Sequence, residues 1–185
     1  MRAPSRRLLV AGAIALGTTA AGPASVQATE ISAGYSGLRS GGDLIHGAAL
    51  GARWPRGGGS LALLAELSGQ SGTAGGESVR DIGLFGGAAL APWSSHRLSP
   101  FVSIKVGGLV ERRQVDVFGV AIGPTGVCNG GCGYHLGPAA EVGGGLDLRL
   151  GGRWALRLAE AAYRVRRIEG ATDHALRFAA GIVHR

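Results

Sequence analysis

Aromatic side chains are scarce in this sequence, at 5% of 185 residues, and there are only two cysteines and one methionine. Beyond residue 28 no apolar run approaches the roughly 20 residues that a membrane-spanning helix requires, so any membrane insertion of that part must use strands. Helical periodicity is missing, and no G-x-G-x-x-G opens a helix, which removes a dinucleotide-binding loop. Basic residues stand singly along the chain. No cationic patch interleaved with aromatics is present, and nucleic acid is not an expected partner.

What is present begins with a basic start at Arg2, Arg6 and Arg7, then an apolar run over residues 8–16 and small residues up to Val26, Gln27 and Ala28. This pattern predicts a secretory signal cleaved after Ala28, with residues 29–185 as the mature domain. The mature part has 185 − 28 = 157 residues, one domain's worth of chain, and carries 16 Lys+Arg against 12 Asp+Glu once the three leading arginines are removed.

Glycine is abundant, at 35 residues, and many glycines lie inside alternating segments, as at Gly86 and Gly87, Gly107 and Gly108, and Gly143 to Gly145. Glycine weakens a flat strand but permits sharp curvature and close backbone approach, which a small, tightly curved barrel would use. The clearest alternation lies in residues 139–185. Val142, Leu146, Leu148 and Leu150 share one parity, and Glu141, Gly143, Gly145, Asp147 and Arg149 the other. Near the end, Leu176, Phe178, Ala180 and Ile182 oppose Ala175, Arg177, Ala179 and Gly181. Side chains alternate across a strand, so each segment has an apolar face and a small-or-charged face. The Gly151–Gly152 joint suits a tight hairpin.

The same reading places strands at 30–37, 45–54, 61–68, 78–90 and 101–113, an irregular stretch at 114–137, and three more strands from 139 to the end. Eight antiparallel strands can close on themselves and abolish their edges. With the N-terminus periplasmic, short turns at 55–60, 92–99 and 151–152 fall on the periplasmic side. The stretches 38–44, 69–77, 114–137 and 167–173 fall outside, the longest of them external.

Two orientations fit this pattern. In a soluble lipocalin-like barrel the apolar face points inward and carries an apolar ligand. In an outer-membrane barrel it meets lipid. The second face favours the membrane form: Glu30, Arg53, Glu66, Asp81, Lys105, Glu141, Asp147, Arg149, Arg157 and Arg177 share it and would fill the interior as a network of mixed charge. Filled in this way, the barrel is not expected to hold an open pore.

The segments at residues 99–108, 143–150, 154–163 and 176–183 together resemble the outer-membrane β-barrel superfamily, in its small eight-stranded OmpA-like transmembrane form. The resemblance implies an all-β, antiparallel up-and-down barrel in the outer membrane of a Gram-negative-type bacterium. Such barrels commonly end on an aromatic residue, where this sequence ends on Val183, His184 and Arg185. The aromatic girdles are thin, with Tyr35, Trp54, Trp93, Trp154, Tyr163 and Phe178 as candidates.

Cys128 and Cys132 stand in the long external stretch, and in an exported protein a disulfide is expected between them. His135 follows, but no fourth metal ligand is evident. A lipid A-modifying enzyme would need a nucleophile, base and orienting acid within reach. His46, His96, His135, His174 and His184 show no such constellation, so no catalysis, cofactor or metal is expected. Tyr163 with Arg164, Arg166 and Arg167 suggests a basic cluster that could meet lipopolysaccharide phosphates. The expected role is structural or surface-interacting, as a monomer in contact with outer-membrane lipid and lipopolysaccharide and presenting its external loops to a partner.

Overall fold

The computed structural model describes residues 29–40, 42–56, 60–74, 77–92, 96–117, 120–123, 126–127, 134–168 and 170–185. Its strands are β1 (Glu30–Ser40), β2 (Asp43–Arg56), β3 (Leu61–Ala74), β4 (Glu77–Leu90), β5 (Leu98–Val117), β6 (Val120–Gly123), β7 (Gly126–Val127), β8 (Tyr134–Gly151), β9 (Trp154–Ile168) and β10 (Ala171–His184). Eight of them, β1 to β5 and β8 to β10, form one antiparallel ring. β1 pairs with both β2 and β10, and the β4–β5 pairing completes the closure. β6 and β7 extend outward from the end of β5 within the stretch expected to be irregular.

The strands outrun their apolar patterns. β3 continues past Ser68 to Ala74, because Gly69 to Thr73 keep their ladder partners on β4 although their side chains are small or polar. β1, β9 and β10 likewise take up residues expected in turns. Hydrophobic alternation marks only the part of a strand that borders an apolar phase, whereas backbone pairing carries on into water. The strand ends at Ser40 and Asp43, Ala74 and Glu77, and Ile168 and Ala171, with the end of β5 and the start of β8, lie at one end of the ring. The start of β1, the end of β10, and the strand ends at Arg56 and Leu61, Leu90 and Leu98, and Gly151 and Trp154 lie at the other. Gly42 and Gly170 at the first end, and Gly151 and Gly152 at the second, have φ between 56° and 127°, the left-handed region that glycine accepts at tight turns.

Burial alternates along the wall strands, with one interruption in β9, and the large apolar residues are mostly the exposed ones. Ile31, Leu50, Leu67, Ile82, Leu84, Ile104, Val106, Val142 and Ile182 face away from the barrel. The lumen holds Lys105, Glu141, Asp147, Arg164 and Arg177. The lipocalin-like alternative needs the reverse orientation and is overturned by this arrangement. Two small apolar clusters also lie inside, Leu38, Ile45, Val79 and Ala175 toward the loop end, and Phe85, Leu109 and Ala139 below them.

Candidate functional site

The alternation that turns leucines outward brings charged side chains from all eight wall strands into one lumen. At the terminal end, Arg53 of β2 lies 3.4 Å from Glu30, Arg185 lies 2.9 Å from Glu30, and Arg157 lies 3.0 Å from Asp147. The ring of Phe101 takes the guanidinium groups of both Arg53 and Arg157 at 4.7 Å from its centroid, a favourable use of the aromatic quadrupole in a desolvated place.

The middle layer is denser. Lys105 Nζ lies 2.9 Å from Glu66, 2.9 Å from Glu141 and 3.2 Å from Glu160. Arg177 contacts the same three carboxylates, at 3.2 Å to Glu66, 3.4 Å to Glu141 and 2.5 Å to Glu160. Arg157 joins this layer to the one below through Glu160 at 3.0 Å.

Toward the loop end, Arg164 donates to Glu141 at 2.6 Å and approaches Asp81 at 3.5 Å. Arg166 lies 3.1 Å from Asp81 and 2.5 Å from both Glu111 and Asp173. Gln70 donates to Ser36 Oγ at 3.1 Å, tying β3 to β1. The result is a continuous run of ion pairs from Arg185 to Asp173. Two cavities of about 20 and 30 Å3 border Glu66, Arg157 and Glu160, each with room for little more than a water molecule.

Of the residues expected on the inner face, Glu30, Arg53, Glu66, Asp81, Lys105, Glu141, Asp147, Arg157 and Arg177 stand in these pairs. Arg149 does not lie within the lumen but is exposed. It sits on the last rungs of β8, where the register shifts between Arg149 and Gly151 and the wall opens to water.

The proposed basic cluster beside Tyr163 needs a larger correction. Arg164 is 0% and Arg166 2% exposed, and both point into the lumen, leaving Arg167 alone on the outside. The cause is a bulge. Asp147 pairs with Arg157 while Leu146 pairs with Ala159, and opposite them Gly181 pairs with Arg157 while Ala179 pairs with Glu160. Leu158 and Ala159 therefore both face outward, and the parity of β9 reverses. Arg157 before the bulge and Glu160, Arg164 and Arg166 after it all turn inward. Uniform alternation hides this. The one sequence signal is that Arg157 and Glu160, three apart, suit the interior together only if an extra residue intervenes.

Cys128, Cys132 and Trp93 lie outside the described residues. Among the described residues no three His, Cys, Asp or Glu side chains converge on a common metal site. His46 meets the hydroxyl of Tyr35, and His174 meets that of Tyr163 at 2.8 Å; both pairs are exposed. Trp154 stacks edge-on against His184 near the termini, with ring centroids 4.8 Å apart.

No protein-family model and no curated protein sequence matches the chain. Solved structures do. The attachment invasion locus protein Ail of Yersinia pestis superposes with a TM-score of 0.51 at 13% identity, over 84% of this chain and 97% of that one. Neisserial surface protein A gives 0.51 at 12% identity, over 84% and 94%. The fold is that of a small outer-membrane β-barrel. The N-terminal barrel domain of Pseudomonas aeruginosa OprF is a third such structure, with a TM-score of 0.50 at 14% identity over 83% of this chain and 96% of that domain. At these identities the likeness extends to the eight-stranded ring and its closure. The charge network described above belongs to this chain's own residues.

Proposed function

We propose that the protein is an outer-membrane barrel with a structural or surface-interaction role, without catalysis. The observation that carries this reading is the combination of an outward apolar face with a lumen closed by ion pairs. An eight-stranded wall leaves space only for side chains, and here those side chains hold one another. A lipid-exposed exterior gives the leucine, isoleucine and valine face its solvent. The closed interior leaves the loops as the parts free to meet a partner. Ail, with a TM-score of 0.50 and 12% identity in that complex, has been crystallised with the heparin analogue sucrose octasulfate, which makes polyanionic surface ligands a reasonable first class to screen. Residues 1–28 act in this proposal as a cleaved export signal, and Cys128 and Cys132 as a loop disulfide.

Sucrose-gradient fractionation of cells, followed by gel mobility with and without boiling, tests the reading. Outer-membrane density with a heat-dependent mobility shift is the expected result, together with a mature N-terminus at Thr29. A soluble periplasmic protein whose mobility does not change on boiling would overturn it.

A further inference from the structure

On three neighbouring strands the outward apolar face runs directly into a cationic row. Arg80 of β4 pairs in register with Arg112 of β5, and Arg112 pairs with Tyr134 of β8. All three lie on the outward parity. Arg80 is exposed, Tyr134 is 71% exposed, and the Arg112 guanidinium lies over the Tyr134 ring at 5.8 Å. The next outward rung toward the termini is Ile82, Val110 and Leu136, again in register, with Leu136 77% exposed. No polar rung separates the two rows. On β3 the transition is gradual instead, from Leu67 through Gly69, Ser71 and Thr73.

Like charges directly opposite across two strands destabilise a sheet. Cβ atoms in such a pair lie about 4.5–5.5 Å apart, close enough for two guanidinium forks to hold one phosphate between them. Tyrosine beside them suits the boundary between apolar and wet phases. A ligand that answers all three features carries a phosphate above and hydrocarbon below.

We propose that Arg80, Arg112 and Tyr134, above the Ile82–Val110–Leu136 rung, form a binding site on the barrel's outer wall for a phosphate-bearing lipid of the outer leaflet. The site rests on the membrane-barrel reading and adds a defined lipid contact to it. The arginines hold the phosphate, and the apolar rung packs against the first methylenes of the acyl chains.

The test uses the mature chain folded into phosphatidylcholine nanodiscs containing a minor fraction of bisphosphorylated lipid A. Lipid retained on the released protein is counted by native mass spectrometry. R80Q/R112Q should reduce lipid A retention roughly thirtyfold, since each arginine near an anionic surface contributes about a factor of five. R56Q, at the opposite rim, should leave retention unchanged, and lipid A stripped of its phosphates should be retained weakly by all three proteins. Equal retention by the wild type and R80Q/R112Q overturns the site. So does equal retention of phosphate-free lipid, or an equal loss in R56Q. If the double variant shows no heat-dependent mobility shift, R80Q alone, at an exposed position, serves in its place. A wild-type chain that shows no shift would instead overturn the membrane barrel itself, and the lipid site with it.

Discussion

Lys105 holds carboxylates from three other strands, Glu66 of β3, Glu141 of β8 and Glu160 of β9, within 3.2 Å. Replacing buried ion pairs by apolar groups is often neutral, but removing one partner strands the others in a medium that solvates them poorly. K105M is therefore expected to destabilise the folded barrel by about 3–5 kcal/mol. K105M/E160Q, which also removes one stranded carboxylate, should cost less. Urea unfolding in lipid vesicles reads both, and a K105M midpoint equal to wild type would show that the network holds nothing together. At the loop-end rim, beyond the apolar belt, partial burial pushes the Asp173 carboxyl up. The hydrogen bonds and charge of Arg166, helped by the His174 amide and Ser40, outweigh that and hold it below the usual carboxylate range. A depressed folded-state pKa contributes stability that is present above the unfolded value of about 3.9 and is lost as pH falls through the folded one. An NMR titration of the Asp173 carboxyl should give a midpoint below that of a model peptide. D173N should abolish the acid-dependent loosening of the β9–β10 hairpin; a midpoint at or above the peptide value would contradict the pairing with Arg166.

Among the elements, β9 depends most on one irregularity. Deleting Leu158 removes the bulge and forces one half of the strand to present charge to lipid, either Arg157 or Glu160, Arg164 and Arg166. An arginine on the lipid face costs about 2–4 kcal/mol at the bilayer midplane, and several together approach the entire stability of a typical domain. The deletion is expected to yield no heat-modifiable form, whereas L158A, which keeps the extra residue, should fold. Curvature is written into glycine in the same local way. A Cβ at Gly107, on the inner face, would lie 2.0 Å from the Leu84 carbonyl oxygen, while one at Gly108, on the outer face, would find its nearest neighbour at 3.8 Å. G107A should therefore cost about 1–3 kcal/mol and G108A little, as measured by urea midpoints in the same vesicles. Tight curvature is legible in the glycine-rich segments of the sequence itself. The bulge leaves only the three-residue spacing of Arg157 and Glu160 as a trace, because a single extra residue shifts the phase of the alternation and little else.

For the whole molecule, the outward face divides into an apolar belt and polar rims. On β4 it runs Leu90, Ala88, Gly86, Leu84 and Ile82 before reaching Arg80, in keeping with the roughly 25 Å apolar band of membrane barrels. Depth along this belt should govern tolerance to charge. I104R, in the middle of the belt, is expected to lower stability by about 2–4 kcal/mol, and S71R, at its loop-end edge, by about 0–1 kcal/mol. Equal penalties at the two positions in vesicle unfolding would count against a membrane spanning this belt. The ion-pair run inside and the belt outside are two consequences of one alternation, so the architecture tolerates neither being reversed alone.

The amino-acid sequence by itself determined the period-two alternation, the eight wall segments and the glycines where those segments bend, and from these an antiparallel closed barrel follows. Each is a property of neighbouring residues in the chain. Tertiary structure decided which charges meet. Glu66, Lys105, Glu141 and Arg177 come from four strands and become neighbours only when the ring closes, and Arg164 and Arg166 join them only because the bulge at Leu158 turns the rest of β9 over. Parity along a strand is local, but its sign relative to the barrel axis, and the partner across the lumen, are set by closure and register.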